Sequence, residues 1–385
     1  MKFFLLFSIL FLNFLQANEL KEVLLIHSYH KGYIWTDDIS KTIEKNFSSD
    51  KNIELTTVYM DTKRIDDPSY LANLAKLYKQ QFTNRTFDLI IISDNNAFDF
   101  MELYYDSLFK NVPVLFCGIN NYDKNMLDKL TFKNISGVAE EVDIEKNFEL
   151  ISRLHPNLKN LLIINDTPTT GYAVKKDLAK IIEKYKKRFN IEYTDNLDIS
   201  DLKIKVSKLE KSNSAILFVL LFKDTTGKYF THKQSFEEVK KVSEVPIYGL
   251  WDFYLNSGMV GGLLTSGISQ GETVHKMALD VLNGKDIKDI PILEKSPNLY
   301  IFNYNELKRF NLDVYKYVEN PIIINEPTSI YKEHIKFFII TIIIIALLSI
   351  IVVILKANKT KINKTDIQIR NSDFNYMNIL DLLIR

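Results

Sequence analysis

DLIIISDNNAFDF, residues 88–100, joins a short unbroken aliphatic run to a helical segment through a polar turn. The run at 89–92 is Leu-Ile-Ile-Ile, the pattern of a buried strand, and Ser93-Asp94-Asn95-Asn96 ends it before a helix at 97–109. The same unit recurs on both sides. Upstream, strands are expected at 23–27 and 55–60 and helices at 37–47 and 70–82; a strand at 112–116 follows. A second series has strands at 135–138, 161–164, 191–194, 215–221 and 246–249, with helices at 144–154, 172–189, 199–210 and 234–243. Strands that alternate with helices of this length form βαβ units and a parallel sheet. Two series, in more chain than one core usually serves, give an α/β fold of two doubly wound parallel-sheet lobes.

Open sheets of this kind bind ligands beyond the carboxyl ends of their strands. The first strand leads into Ser28-Tyr29-His30, with Tyr33 and Trp35 close behind; the third into Asp94, Asn95 and Asn96; the fourth into Gly118 and Asn120. In the second series the strand at 161–164 runs into Thr167, Thr169, Thr170 and Gly171, and the one at 246–249 into Trp251 and Asp252. A few polar groups among aromatic walls suit a small polar molecule. Each residue also has a plainer reading. Trp35 and Trp251 suit packing beneath loops as well as stacking on a ligand. Asp94, Asn95 and Asn96 suit capping of the helix that follows. Thr167, Thr169 and Thr170 precede a helix whose N–H groups could hold an anion, and equally fit simple turn chemistry with Pro168 and Gly171. His30 is the histidine expected near the pocket, and a solvated loop position is its plainer alternative.

The ends of the chain carry a different signal. Residues 337–355, FFIITIIIIALLSIIVVIL, hold no charge, Pro or Gly, and as a helix would span about 28 Å, close to a bilayer's hydrocarbon thickness. Lys356, Lys359, Lys361 and Lys364 load the far side with positive charge, which places that side in the cytoplasm. At the other end Lys2, the apolar run 3–15 and Gln16-Ala17 read as a signal peptide over 1–17. The expected order is a ligand-binding domain over 18–312, a juxtamembrane linker at 313–336 stiffened by Pro321 and Pro327, the membrane helix at 337–355, and a short cytoplasmic tail at 356–385. Lobe one is expected at about 21–134 plus 250–270, lobe two at about 135–248 plus 271–312.

Composition excludes several classes. Basic and acidic residues balance at 49 to 48, so nothing points to nucleic acid. The single cysteine, Cys117, allows no internal disulfide, and a buried inert thiol is its expected state. The six histidines lack metal spacing, and there is no GxxxxGK[ST] phosphate loop. Gly258, Gly261, Gly262 and Gly267 do not form a dinucleotide fingerprint. No cofactor or metal is expected, and no Ser, Cys or carboxylate constellation supports an exported enzyme.

Taken as a set, LLIHSYHKGYIWTDDI (24–39), DLIIISDNNAFDF (88–100), PVLFCGINN (113–121), ISGVAEEVDI (135–144), LHP (154–156), TPTTG (167–171), PIYGLWDFYLNSGMVGG (246–262) and QGE (270–272) resemble the ABC-transporter-type periplasmic substrate-binding proteins of type I fold. The resemblance is closer to the version used as the extracellular sensor of bacterial membrane signalling proteins, and covers about 22–312. It implies two hinged lobes with a ligand cleft between them that closes on a solute, and chain crossings near 135, near 248 and beyond 270. The implied ligand is a small polar solute: an amino acid, amine, nucleoside or sugar. The implied setting is a bacterial inner membrane with the binding domain in the periplasm. The implied partners are a second copy, a signalling protein or a permease. Two roles follow, a sensor signalling through its one helix or the anchored binding component of an ABC uptake transporter. Signalling modules usual in that family, such as kinase or diguanylate cyclase domains, have no counterpart in residues 356–385.

Overall fold

The computed structural model describes residues 20–384 apart from 66, 68, 167–168 and 328–329. The expected leader at 1–17 and Thr167 therefore lie outside the described residues. The chain forms two compact units, 1–325 and 326–385.

In the first unit, β1 (Lys21–His27) pairs in parallel with β2 (Ile53–Tyr59) and β3 (Leu89–Ser93), and β4 (Val114–Asn120) and β5 (Ile135–Glu140) extend the sheet to the order β2-β1-β3-β4-β5. Its strands read as continuous apolar runs because both faces are covered. Val23 and Leu25 of β1 enter one apolar cluster, whereas Leu24 and Ile26 point into another, the period-two alternation of a pleated strand. The helices α1 (Ile34–Phe47), α2 (Tyr70–Gln81) and α3 (Asn95–Leu108) make the crossovers. A seven-stranded sheet follows, ordered β12-β11-β10-β9-β8-β6-β7. Its strands are β6 (Asn160–Ile164), β7 (Asn190–Thr194), β8 (Ser214–Phe218), β9 (Ile247–Gly249), β10 (Gly261–Leu264), β11 (Leu299–Asn303) and β12 (Ile322–Ile324). Only the β10–β11 pair is antiparallel. The helices of this half are α4 (Ile144–Leu154), α5 (Thr169–Tyr185), α6 (Ile199–Ser207) and α7 (His232–Val242). After β10 come α8 (Gly267–Leu282) and α9 (Tyr304–Arg309).

Two parallel-sheet lobes are thus present, but their boundaries differ from the sequence reading. The segment at 135 does not open the second lobe: Ile135 pairs with Val114 and Glu140 with Asn120, which completes the first sheet. Residues 250–270 do not return to the first lobe as a block, because Gly261 pairs with Tyr248 in the second sheet. The return comes with α8, whose residues from 271 on lie in the stretch expected in lobe two. There Gly267 and Gly271 let the helix backbone sit against Trp35, Ile39 and Thr42 of α1, where a Cβ would crowd. The chain crosses at 141–143, at 265–266 and after 293. These crossings are tied together: Thr265 Oγ1 donates to Asn298 Oδ1 (3.0 Å) and Asn298 Nδ2 to the Glu141 carbonyl (2.7 Å). The domain also runs past 312, since Val314 and Val318 are buried and Ile322 pairs with Ile301. The expected linker therefore shrinks to the residues after 325.

One apolar cluster spans both lobes, from Val23 and Leu25 through Trp35 and Trp251 to Leu161 and Phe218.

In the second unit, α10 (Ile330–Ile384) is one continuous helix of 55 residues. Among the described residues it is the one helix long and apolar enough to cross a membrane. Residues 356–384, read as a tail, continue it.

Candidate functional site

Loops from both lobes line a partly open cavity of about 340 Å³, the solvent space at its mouth included. From the first lobe come Tyr29, Tyr33, Trp35, Lys63, Asp94, Asn120 and Glu140; from the second, Leu220, Phe222, His232, Trp251 and Phe253. The wall is aromatic, and its polar groups converge from the carboxyl ends of β1 to β5.

Asp94 is the most constrained of them. It sits at φ +69°, a conformation uncommon for a side-chain-bearing residue, directly after β3. It does not cap α3. Ser28 does so instead, its Oγ accepting from Ala97 N–H at 2.7 Å and donating to the Ser93 carbonyl. The Asp94 carboxylate is left to accept from Trp35 Nε1–H (2.9 Å) and Ser93 Oγ–H (3.0 Å). A second carboxylate, Glu140, ends β5 and accepts from Trp251 Nε1–H (2.9 Å) and Asn120 Nδ2–H (2.9 Å). The Trp251 bond runs from the second lobe to the first. Both carboxyls are buried. Burial pushes Asp94 up to about 7, against the hydrogen bonds from Ser93 and Trp35 and the nearby Lys63 charge. Burial, reinforced by the charge of Asp94, pushes Glu140 up to about 8. Asp166, whose Oδ2 accepts from Phe222 N–H at 2.6 Å, is pushed up to about 6 by burial.

Lys63 is exposed as a residue, yet its ammonium reaches inward over the rings of Tyr29 (4.6 Å), Tyr33 (5.3 Å) and Phe222 (5.5 Å). The surrounding protein lowers its pKa, and Asp94, Glu140 and Asp166 oppose that shift. His232 packs edge-on to Phe222 and Phe253, and burial lowers it to about 3, so it is neutral.

Of the residues singled out in the sequence, Tyr29, Tyr33, Trp35, Asp94, Asn120 and Trp251 line the cavity. The others do not. Ser28 is the α3 cap. His30 turns to Asp61 at 3.3 Å. Asn95 clasps the Asn120 backbone, accepting from its N–H at 3.0 Å and donating to its carbonyl at 3.1 Å. Gly118, at φ +69°, leaves room for Trp35 and Asp94, and its N–H donates to Gln270 Oε1. Asn96 is half-buried in the first turn of α3, and Asp252 opens a 3-10 turn with its N–H on the Thr265 carbonyl. Thr169 and Thr170 begin α5, and the Gly171 carbonyl accepts from Asn165 Nδ2. Cys117 is buried and free, and burial raises its thiol.

Lys63, Glu140, Leu220, Phe222, His232 and Phe253 were missed. Lys63, Glu140 and Leu220 to Phe222 lie at or after the ends of β2, β5 and β8. The rule applied to the other strands would have reached them had it been applied to every strand.

Residues 54–319 match the family described as ABC transporter substrate binding protein. A tyrosine-binding protein of Clostridioides difficile (strain R20291) is 22% identical over 224 residues, which are 55% of this chain and 62% of that protein. This chain thus spans less than two thirds of that relative's length. Among solved structures, the ligand-free, open form of a substrate-binding protein with adhesive properties from Clostridium difficile superposes with a TM-score of 0.56 at 16% identity, covering 79% of this chain and 99% of that one. A Streptococcus pneumonia ABC domain in complex with L-Trp gives a TM-score of 0.53 at 18% identity with the same coverage. These likenesses identify the fold as the type I periplasmic binding protein fold.

Proposed function

The chain belongs to the ABC transporter substrate-binding protein family, and from that premise we propose that it is a membrane-anchored extracytoplasmic receptor for a small polar solute of the amino-acid class, which it delivers to an ABC permease. The family and its fold are non-catalytic. The observation that carries the reading is the cavity between the lobes, where Asp94, Glu140 and Lys63 meet aromatic walls from both sides. A ligand that touches both walls binds the closed form better than the open one, so binding shifts the population toward closure by that difference in affinity. The tyrosine named for the Clostridioides difficile relative and the L-Trp held by the Streptococcus structure favour an amino acid within the broader class. We assign residues 1–17 to an export leader, the binding domain to the periplasm and α10 to a single inner-membrane pass.

A sensor is the second reading, and the length of α10 favours it. At 55 residues the helix would extend about 82 Å, well beyond a bilayer's hydrocarbon core of about 30 Å, whereas a tether needs only the span.

A thermal-shift screen of the full chain in detergent tests the receptor itself. A solute at one hundred times its dissociation constant should add about 2.7 kcal/mol of stability. No shift from any amino acid, amine, nucleoside or sugar would refute the proposal. Uptake of the labelled hit then separates the roles: deletion of the protein lowers uptake if it feeds a permease, and leaves it unchanged if it senses.

A further inference from the structure

The charges in the cleft do not close on themselves. The four carboxylate oxygens of Asp94 and Glu140 accept from indole, hydroxyl and amide donors, all neutral, and among the described residues no cation forms an ion pair with either group. Each oxygen keeps a further lone pair for a ligand donor. Opposite in sign, the Lys63 ammonium meets three ring faces, and among the described residues no oxygen lies within hydrogen-bonding distance of it. Ring faces attract a cation but leave its three N–H donors without acceptors.

Lys63 is also held there. Its turn is fixed by Thr62, whose N–H and Oγ1–H both donate to the Ser28 carbonyl (3.0 and 2.7 Å), and by the Arg64–Asp61 ion pair at 2.5 Å.

We propose that Lys63 is the specificity-determining residue of the cleft: its ammonium receives the ligand's carboxylate, while Asp94 and Glu140 receive the ligand's ammonium. The inference rests on the receptor reading and narrows it to zwitterions. A decarboxylated amine satisfies the two acids but leaves its own charge facing Lys63. A sugar or polyol supplies no charge to either side. An amino acid with an aromatic or apolar side chain supplies both charges and lays that side chain on Phe222 and Phe253.

The test is titration calorimetry on the full chain in detergent with L-tyrosine and L-tryptophan, their amines tyramine and tryptamine, myo-inositol and adenosine. Wild type should hold an amino acid at least about 10-fold tighter than its amine. Lys63→Met, which keeps length and removes charge, should weaken the amino acid by about 10- to 100-fold and leave the amine within a few-fold; Lys63→Arg should restore part of the loss. Lys63 stands on an exposed turn, so an unchanged melting temperature checks that the variants fold. Equal loss for amino acid and amine would overturn the proposal. So would a gain in amine affinity with the amino acid unchanged, which would make Lys63 a competing cation. Binding of myo-inositol or adenosine but no amino acid would overturn it and leave the receptor intact. Silence from the whole panel would overturn the receptor reading as well.

Discussion

Trp251→Phe isolates the one indole bond that spans the cleft. Trp251 Nε1–H donates to Glu140 Oε1 at 2.9 Å, and phenylalanine removes the donor while keeping an aromatic ring beside Phe253. The size of the loss depends on the charge of the acceptor. Glu140 is held up to about 8, so near pH 7 it is mostly neutral, and its bond contributes about 1 kcal/mol net, or about 5-fold in affinity. At pH 9 the acceptor is ionised, and a bond to a charged group is worth about 2 kcal/mol, or about 30-fold. The penalty in solute affinity should therefore grow with pH. Trp35→Phe supplies the control, because its bond to Asp94 has the same geometry but lies within the first lobe. Titration calorimetry at both pH values gives the affinities, and small-angle scattering shows whether Trp251→Phe also makes the ligand-free protein more open. A penalty that does not change with pH, or one matched by Trp35→Phe in both affinity and compactness, would refute the assignment of this bond to closure.

Three further outcomes are expected. Asp94 and Glu140 are raised in the folded protein from 3.8 and 4.5 to about 7 and about 8, so the folded state binds more protons than the unfolded one between those limits. Their contribution to stability is then complete below about pH 4 and lost as pH rises through 8. The ligand-free melting temperature should fall across that window, and Asp94→Asn with Glu140→Gln should flatten the fall; a parallel fall in the double variant counts against it. Gln270 is fully buried and links the Gly118 N–H, the Ala139 carbonyl and Ser296 Oγ, so Gln270→Ala should cost about 3 kcal/mol in chemical denaturation, and a loss under about 0.5 kcal/mol would deny it that role. Because Cys117 is buried, thiol labelling has a silent background. Asp313→Cys should react with an impermeant maleimide in cells whose outer membrane alone is opened, and Lys359→Cys only after detergent; the reverse pattern would invert the proposed topology.

The lobes were legible because their strands are buried on both faces and leave unbroken aliphatic runs, such as Leu89 to Ile92, that need no alternation to be seen. What was not legible was which sheet each segment joins. Ile135 to Glu140 reads equally well as a last strand or a first one, and only its pairing with β4 decides. β12 is three isoleucines, too short for a pattern, and α8 carries glycines that lower helix propensity but open room for α1. In the site, tryptophan and aspartate after strands drew notice, whereas Lys63 did not, since lysine on a turn is ordinarily solvated. Several of the residues expected at the ligand hold the scaffold together in this structure. Ser28 and Asn95 use the same hydrogen-bonding capacity to fix α3 and the end of β4 that would have served a ligand.

The placing of α8 bears on how the protein is made. The first lobe's strands all lie within residues 21–140, but the helix that packs on α1 and against β3, β4 and β5 is at 267–282, after most of the second lobe. In a chain that is threaded through a translocon from its N-terminus, the first sheet emerges long before its cover. Until then Val23, Leu25 and their neighbours face no finished partner, and such incomplete domains are prone to aggregation. The two lobes are therefore not successive folding units. Neither a nascent chain stalled between them nor a fragment ending at 140 should reach a protease-resistant state, and the proposed export would depend on holding the first half open until residue 282 has crossed.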